Sequence, residues 1–458
     1  MTKVTSPRGL AWELCRRVFA DGAYANLAWE DILGDSELSR DEKGFATHLA
    51  YGTLRHTGTI DAIIEQASGR DPDSIDQEVW WVLRLGVFQW LWMRTPAHAV
   101  VNESVKLCKK LGHHPASGLV NAVLRKITAQ DLPAWLDAIT VGATDTITDV
   151  SLRYAHPTWV VEALQEALAD TDPVGSEAEL ASLLDAHNEP ATPTLVVLPG
   201  LASKSPTETP TKYSPYGVYA EAGSPGADQR IREGRARVQD EGSQLAALVL
   251  THATPIDAPI AVADMCSGPG GKTALIQAVL SPSGSSLTAI EKAPHRADLV
   301  RQAVAPFSGD SPAPRVITGD AEEVLAQEGV LYDRVLLDAP CTGLGALRRR
   351  PESRWRKNAS DLEKLVAAQR ELLEAAVKHT AVGGIIVYVT CSPVVAETTE
   401  QMAWLSKQFP VTMLDTPAIV DRISNSAIDG HRRGSAAQLW PHRHHTDAMF
   451  IQAISRDG

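Results

Sequence analysis

The chain has 458 residues, of which 44% are hydrophobic and 22% charged, enough for two or three domains with packed cores. Its formal net charge of −13 argues weakly against a nucleic-acid ligand, although local basic patches can still bind phosphate. The most apolar run, 79–93, is broken by Arg84 and Gln89 and is too short to span a bilayer. The first ten residues lack the apolar core of a signal peptide. We therefore expect a cytoplasmic protein without membrane contact.

The five cysteines are scattered, odd in number and without a CxxC pair. In a reducing compartment they should be free thiols, so we predict neither disulfides nor a bound metal. Cys15 and Cys108 lie inside helical apolar patterns and are expected to be small buried residues. We also expect the protein to be a monomer.

Residues 1–140 are predicted to form an all-helical domain. Ser6-Pro7 is typical of a helix start, and amphipathic runs follow at 43–55, 77–92, 101–111 and 117–126. Seven of the eleven tryptophans lie here, and we expect most of them in the core. Residues 141–237, with a short strand at 194–198 and a stretch rich in Pro, Gly, Ser and Thr, are predicted to be a small linking α/β subdomain.

From 238 to 458 strand and helix patterns alternate, which predicts a mostly parallel sheet covered by helices on both faces. The predicted strands are 260–263, 287–290, 315–317, 334–337 and 385–389, with a last strand at 448–453. A helix is predicted over 361–379, opened by a capping box from Ser360 to Glu363. This pattern indicates a Rossmann-like α/β domain.

Each of these predicted parallel strands ends in a polar or reactive residue: Asp264, Glu291, Asp320, Asp338 and Thr390-Cys391. Ligands of open α/β sheets bind outside the carboxyl ends of the strands. A single acid there is often only a helix cap, whereas five such ends in register indicate one site at one edge of the sheet.

The loop from Cys266 to Lys272, after the first of these strands, is rich in glycine. It fails the phosphate-loop pattern GxxxxGK[ST] at Cys266, and it fails the dinucleotide pattern GxGxxG at Thr273. Glu291, one strand later, is placed to accept the hydroxyls of a ribose. An adenosine cofactor without a pyrophosphate fits this pattern, and S-adenosylmethionine is one.

Cys341 and Cys391 follow neighbouring predicted strands, which would bring both thiols to the same site. Carbon 5 of cytosine is a poor nucleophile, but addition of a thiolate to carbon 6 makes it able to attack a methyl group. Asp338 is placed to stabilise such an adduct near ring nitrogen 3. Spacing alone does not assign the two cysteines to different steps.

Three segments, DMCSGPGGKT, LLDAPCTGLGALRRRPESRW and VYVTCSP, resemble the motifs of the RNA 5-methylcytosine methyltransferases. The resemblance covers about 238 to the last residue, and the helical first third resembles a NusB-type RNA-binding domain. Together they resemble the ribosomal RNA small-subunit methyltransferase B, or Sun/Fmu, type. This implies an all-α NusB-like domain followed by a Rossmann-like methyltransferase domain with a mostly parallel seven-stranded sheet, acting on 16S rRNA.

The resemblance also implies residue roles. Cys391 would be the nucleophile, Cys341 would assist product release, Asp338 would bind and protonate the cytosine, and Lys272 would take part in catalysis. S-adenosyl-L-methionine would be held by Cys266, Ser267, Gly268, Pro269, Gly270, Gly271, Lys272, Glu291, Arg296, Asp320 and Asp338. The loop departs from the family at Ser267-Gly268, where two alanines are frequent, and Glu291 replaces the usual aspartate.

The basic segment from Arg348 to Lys357 directly follows the Pro-Cys motif, which favours contact with RNA phosphates over a solvated face. The predicted RNA-binding residues are Arg348, Arg349, Arg350, Arg354 and Arg356. Arg230 to Arg237 form a second basic cluster, expected to be a solvated face. The histidine-rich stretch 440–445 lacks a zinc pattern and is expected to be a turn before the last strand.

Three other functions compete with this one. A methyltransferase acting on protein or a small molecule would not need paired cysteines. A P-loop ATPase conflicts with Cys266. A non-enzymatic RNA-binding or ribosome assembly factor with a vestigial methyltransferase fold is the main alternative, and it conflicts with the intact Cys391 and glycine loop.

Overall fold

The structure, a computed structural model, describes residues 5–142, 145–172, 176–221, 226, 228–310 and 312–458. Contacts divide the chain into two compact units. The helical unit comprises Met1–Glu162, His187–Glu189 and Leu347–Arg356, and the α/β unit comprises Ala163–Ala186, Pro190–Ala346 and Lys357–Gly458. Within the described ranges, no helix combines the length and apolarity needed to cross a membrane.

The helices and strands of the chain have the following bounds. The helices are α1 (Pro7–Ala20), α2 (Ala25–Gly34), α3 (Arg40–Arg55), α4 (Thr57–Ser68), α5 (Gln77–Leu91), α6 (Ala97–Lys110), α7 (Ser117–Ile127), α8 (Leu132–Thr140), α9 (Thr146–Tyr154), α10 (Thr158–Thr171), α11 (Ser176–Asn188), α12 (Gln229–Arg232), α13 (Glu241–His252), α14 (Gly271–Leu280), α15 (Pro294–Val304), α16 (Ala321–Glu328), α17 (Ser353–Arg356), α18 (Ala359–His379), α19 (Thr399–Gln408), α20 (Thr416–Ile423) and α21 (Pro441–His444). The strands are β1 (Thr194–Val197), β2 (Gly217–Tyr219), β3 (Ala236–Val238), β4 (Ala261–Asp264), β5 (Ser286–Glu291), β6 (Arg315–Thr318), β7 (Tyr332–Asp338), β8 (Thr380–Thr390), β9 (Val411–Met413), β10 (Arg432–Arg433), β11 (Ala436–Gln438) and β12 (Phe450–Arg456).

Helices α1 to α8 of the helical unit pack around one apolar core. The first helix begins where the sequence predicts, because the Ser6 hydroxyl accepts a hydrogen bond from Gly9 N at 3.2 Å. Five of the seven tryptophans in this region are buried, which confirms that most are core residues. Trp80 is one of them, and its indole donates to Asp61 Oδ1 at 2.8 Å, so the polar tip of a fully buried ring is satisfied.

The α/β unit contains two sheets. In the small one, β1 pairs antiparallel with β2 and β3. The large one has the order β10-β11-β12-β8-β7-β4-β5-β6, with β9 paired to β12. Strands β6, β5, β4, β7 and β8 are parallel, and the remaining pairs are antiparallel. The fold is therefore the predicted all-α domain followed by a Rossmann-like α/β domain. The division at 140/141 and 237/238 stays a prediction.

Two predicted details differ from the structure. The large sheet has nine strands among the described residues rather than seven, because β9, β10 and β11 are only two or three residues long and carry no alternation that a sequence pattern reveals. Helix α18 is capped by Asn358 with Asp361, not by Ser360 with Glu363. The Asn358 side chain accepts from Ser360 N and Asp361 N, so the helix begins at Ala359.

Strand order places a crevice at the centre of the large sheet. From β4 the chain continues to β5 and β6 on one side, and then returns to β7 and β8 on the other side. The helices after β4 and β7 therefore leave the sheet in opposite directions, and ligands of such sheets bind at this point.

Candidate active site at the carboxyl ends of the parallel strands

The loop between β4 and α14 requires glycine for two reasons. Gly270 has a φ of +96°, a conformation that residues with a Cβ rarely adopt. A Cβ at this position would also lie 2.5 Å from Ala303 Cβ and 3.0 Å from Val300 Cα. The tight turn, closed by a 2.7 Å hydrogen bond from Gly270 N to Ser267 O, packs the start of α14 directly against α15.

Glu291, at the end of β5, is buried and fixed by main-chain donors. Its Oε2 accepts from Gly268 N at 2.9 Å, and its Oε1 accepts from Ala293 N at 3.0 Å. A Cβ on Gly268 would lie 2.2 Å from Oε2, so the absence of a side chain there allows the carboxylate to approach the loop. Arg296 completes the arrangement by donating from Nη2 to Gly268 O at 2.6 Å.

Asp264, at the end of β4, is fully buried. Its Oδ2 accepts from Thr273 Oγ1 at 2.7 Å, whereas Oδ1 has no hydrogen-bond partner among the described residues. Burial, and to a smaller extent the nearby Asp338 and Glu291, raise the pKa of Asp264 to about 7 in spite of the Thr273 bond. The sequence marked this residue only as a strand end.

Lys272 and Asp338 form an ion pair. Lys272, on α14, donates from Nζ to Asp338 Oδ2 at 2.7 Å. Burial alone would lower the pKa of Lys272, but the Asp338 carboxylate more than compensates, so the pKa lies above its ordinary value. The amine is therefore cationic at neutral pH.

Cys341 and Cys391 lie 3.4 Å apart, sulfur to sulfur. The neighbouring strands β7 and β8 explain this: Ala339 N donates to Val389 O at 2.9 Å, just before the two cysteines. Gly345 N, on the return of the Pro-Cys loop, donates to Cys391 O at 2.9 Å. The loop therefore folds back over β8 and keeps its thiol beside the second one.

The Cys341 thiol holds its proton tightly. The hydrogen bond to Cys391, burial and the charge of nearby Glu397 raise the pKa of Cys341 well above the ordinary value. Cys266 is a weak nucleophile for a different reason: burial first, and then Asp264, raise its pKa.

Asp320, after β6, caps α16 by accepting from Glu322 N at 3.1 Å. Lys292 Nζ donates to Asp320 Oδ2 at 2.8 Å, and this bond lowers the pKa of Asp320. The residue thus stands at the same sheet edge as Asp264, two strands away. The first contact is that of a helix cap and the second is an ion pair with an exposed lysine, so the cofactor role of Asp320 stays a prediction.

The five predicted RNA-binding arginines belong to the helical unit and differ in exposure. Arg349 and Arg350 are exposed, and Arg348 is half-buried. Arg354 is fully buried and donates to Ala155 O at 3.0 Å and to Asn188 Oδ1 at 2.9 Å. Arg354 is therefore not a candidate for phosphate contact. The sequence could not predict this, because a run of charged residues does not reveal which of them will bind main-chain carbonyls.

Arg356 is also engaged inside the helical unit. Its Nη2 donates to Val18 O at 2.9 Å and to Ala23 O, and its guanidinium lies 5.4 Å from the ring centre of Tyr24. It is half-buried, so phosphate contact at Arg356 stays a prediction.

Two other expectations concern basic or histidine-rich stretches. Arg230 pairs with Asp228 at 2.7 Å and with Glu208, so it is neutralised locally. The stretch 440–445 forms the short helix α21, with Trp440 fully buried. Within the part of the chain that the structure describes, no group of three or more His, Cys, Asp or Glu residues is arranged to hold a metal ion.

Sequence reasoning missed Glu397. This acid lies six residues after Cys391 in the 3₁₀ turn Val395–Glu397, and it is fully buried. Its Oε1 accepts from Thr342 N at 2.7 Å, next to Cys341. The only sequence signal is an acid shortly after the Thr-Cys motif, and an exposed helix cap gives the same signal.

Two family models match the chain. The model described as 16S rRNA methyltransferase RsmB/F matches residues 254–455, and that of the NusB family matches residues 5–129. A Mycobacterium tuberculosis protein named as a methyltransferase is 40% identical over 98% of this chain and 96% of its own length. The ribosomal RNA small subunit methyltransferase B of Pseudomonas putida is 31% identical, over 78% of this chain and 80% of its own length.

A solved structure shows the same fold. The crystal structure of PH0851 has a TM-score of 0.77 and 20% identity, covering 98% of this chain and 99% of that one. This likeness shows the fold, and the family models together with the relatives of 40% and 31% identity show the family. The chain therefore belongs to the 16S rRNA methyltransferase RsmB/F family, a family of S-adenosylmethionine-dependent RNA methyltransferases.

Proposed function

We propose that this protein methylates carbon 5 of a cytosine in 16S rRNA through a covalent adduct between Cys391 and carbon 6 of the base. The observation that carries the proposal is the pair of thiols 3.4 Å apart, next to the Lys272–Asp338 ion pair. Methylation of a nitrogen or an oxygen needs no thiol. The relative in Pseudomonas putida, named for small-subunit ribosomal RNA, supports the choice of RNA.

The described residues fit S-adenosylmethionine. The absence of a Cβ at Gly268 leaves space beside Glu291, and Asp264 Oδ1 is a buried acceptor that has no hydrogen-bond partner among the described residues. Glu291 would accept the ribose hydroxyls, and Asp264 would accept from a further polar group. Cys266 to Gly271, Arg296 and Asp320 would complete the site. When bound, the cofactor supplies an electrophilic methyl group.

The base is activated by two groups of the chain. The Cys391 sulfur bonds to carbon 6, and carbon 5 becomes an enamine-like nucleophile. The negative charge that develops at ring nitrogen 3 needs a proton. Asp338 hydrogen-bonds the ring and passes to nitrogen 3 a proton that the cationic Lys272 supplies, and this proton returns along the same path when the adduct breaks down.

Cys341 then releases the product. The carbon 5 proton moves to the Cys341 sulfur, its electron pair forms the carbon 5–carbon 6 double bond, and the carbon 6–sulfur pair leaves with Cys391. The hydrogen bond to Cys391 is the largest cause of the raised pKa of Cys341. Once Cys391 is bonded to carbon 6, that hydrogen bond is gone and the pKa of Cys341 falls, although burial still raises it, so Cys341 gives up its own proton more readily and then acts as the base.

The RNA must present the cytosine unstacked or single-stranded, because the thiol cannot reach carbon 6 inside a helix. We propose that the exposed Arg349 and Arg350 contact phosphates and that the NusB-like unit contributes to RNA binding. We further propose that the protein acts in the cytoplasm as a monomer.

The test compares wild type with Cys391→Ala and Cys341→Ala, and uses Cys108→Ala in the helical unit as the control for loss of a thiol. Each protein is incubated with unmodified 16S rRNA and labelled S-adenosylmethionine, and methyl incorporation and protein–RNA adducts are measured on a denaturing gel. We expect Cys391→Ala to give neither product and Cys341→Ala to accumulate adduct. Methylation by Cys391→Ala would contradict the assigned nucleophile. Failure of wild type to methylate any RNA would leave a binding or assembly role.

A further inference from the structure

The loop that carries Cys341 is held by one buried carboxylate. Glu397 Oε1 accepts from Thr342 N at 2.7 Å, and Oε2 accepts from Thr342 Oγ1 at 2.5 Å. Both bonds go to the residue that directly follows Cys341. The carboxylate thus fixes the main chain and the side chain of one loop residue at the same time.

A second residue extends this hold to the other side of the cysteine. Gln369, on α18, donates from Nε2 to Glu397 Oε1 at 3.1 Å and to Pro340 O at 2.9 Å. Pro340 precedes Cys341, so both flanks of the cysteine are bound to the same polar cluster. Gln401 Nε2 donates to Gln369 Oε1 at 3.2 Å and keeps this amide oriented.

The same cluster reaches the strand of the second cysteine. Thr342 Oγ1 lies 3.0 Å from Ser392 Oγ, and Ser392 directly follows Cys391. Tyr388, on β8, donates to Glu397 O at 2.8 Å and anchors the turn that carries the acid. One buried group therefore connects the loops of both thiols.

Burial of this carboxylate is costly for the fold. Its hydrogen-bond partners among the described residues are an amide N–H, a hydroxyl and a carboxamide, none of which is a cation. Removal of a carboxylate from water is unfavourable, and neutral hydrogen-bond donors return only part of the lost solvation energy. An apolar side chain would close the same gap without this cost, so the acid is expected to serve the site.

We propose that Glu397 is a positioning residue for product release, which holds the Cys341 loop so that its sulfur reaches the carbon 5 proton of the adduct. This inference rests on the covalent mechanism proposed above. The proton transfer and the departure of Cys391 are those already described, and Glu397 takes no proton in them.

Two possible roles of Glu397, holding the loop in place and adding negative charge, predict opposite effects of Glu397→Gln on the rate of adduct release. The Glu397 charge contributes to the raised pKa of Cys341, so if charge were its only effect, Glu397→Gln would make Cys341 easier to ionise and would speed release. If Glu397 acts by position, the amide of Gln cannot accept from Thr342 Oγ1 as the second carboxylate oxygen does, and release slows.

The test measures the lifetime of the protein–RNA adduct and the first round of methyl transfer in Glu397→Gln and Thr342→Val. We expect the adduct to last about 10- to 100-fold longer, because small misplacements of a reacting group cost that much. First-round methyl transfer should change far less, since Cys391 is intact. Thr342→Ser, which keeps the hydroxyl that donates to Glu397, is the matched control and should release the adduct at the normal rate.

The outcomes separate this inference from the covalent mechanism. If Cys341→Ala forms no adduct, the proposed function fails first. If Cys341→Ala accumulates adduct but Glu397→Gln releases it at the wild-type rate or faster, the positioning role is overturned. Should Glu397→Gln fail to fold, Thr342→Val decides from the loop side, and normal release by that variant overturns the inference.

Discussion

Gly268→Ala tests whether the loop and Glu291 form the cofactor site. The new Cβ would lie 2.2 Å from Glu291 Oε2 and 2.8 Å from Arg296 Nε, where ordinary contacts begin at 3.4 Å. To restore an ordinary contact, the Oε2 atom must move away from the new Cβ by about 1.2 Å, the difference between 3.4 and 2.2 Å. Its hydrogen bonds to Gly268 N and Ala293 N, now 2.9 and 3.0 Å, cannot both survive that shift.

The magnitude follows from these bonds. A hydrogen bond to a charged group contributes about 1.5–3 kcal/mol, so misplacement of one ribose acceptor should weaken S-adenosylmethionine binding by about 10- to 100-fold. The fold also loses some stability, since one buried carboxylate oxygen loses its main-chain partner. Gly268→Ala should thus raise the dissociation constant more than it lowers the unfolding temperature.

The assay is isothermal titration of S-adenosylmethionine into folded protein, with thermal unfolding measured in parallel. Gly309→Ala is the matched control, because a Cβ there has no neighbour within 4 Å and the glycine lies in the same unit. Glu291→Gln should weaken binding in the same direction without any clash. Wild-type affinity in a folded Gly268→Ala variant would refute the assignment of Glu291 to the ribose.

Two further predictions concern charges outside the thiol pair. Arg350→Gln should lower RNA affinity and reduce the salt dependence of binding by about one phosphate contact, as measured by salt titration. Arg354→Gln should leave that salt dependence unchanged but destabilise the helical unit by about 3 kcal/mol, as measured by chemical unfolding. Equal salt dependence for the two variants would contradict this distinction. The pKa of Asp264 is raised from 3.8 to about 7, so wild-type stability falls as pH rises between these values and levels off above. Asp264→Asn should therefore gain stability relative to wild type over that window, by up to about 4 kcal/mol, and a pH-independent difference in unfolding free energy would argue against a buried, ionising Asp264.

The sequence predicts the central part of the fold well because two strong signals coincide. Apolar runs mark the parallel strands, and each run stops at a polar residue at or just beyond the carboxyl end of its strand. Asp264, Glu291 and Asp338 indeed end β4, β5 and β7. The short strands β9 to β11 carry neither signal, so their pairing depends on neighbours that only the tertiary structure supplies.

The location of the site could be predicted from the sequence, whereas several contacts within the site could not. Strand adjacency was enough to predict that Cys341 and Cys391 lie together, since the side chains at the ends of neighbouring strands meet. It could not predict Glu397, whose role depends on a 3₁₀ turn that folds back under the Pro-Cys loop. Similarly, the burial of Arg354 follows from main-chain carbonyls in the helical unit, and no spacing of charges encodes them.

The charge balance of the site favours a cationic ligand. Burial is the main reason for the high pKa of Asp264, but Asp338 and Glu291 raise it further, so this carboxyl reports a negative potential at the ends of β4, β5 and β7. Lys272 offsets one of these charges through its ion pair with Asp338. A sulfonium ligand would be attracted by the remaining charge, and the neutral thioether left after methyl transfer would not. We therefore expect the acids that end the parallel strands to favour binding of the methyl donor over retention of its product.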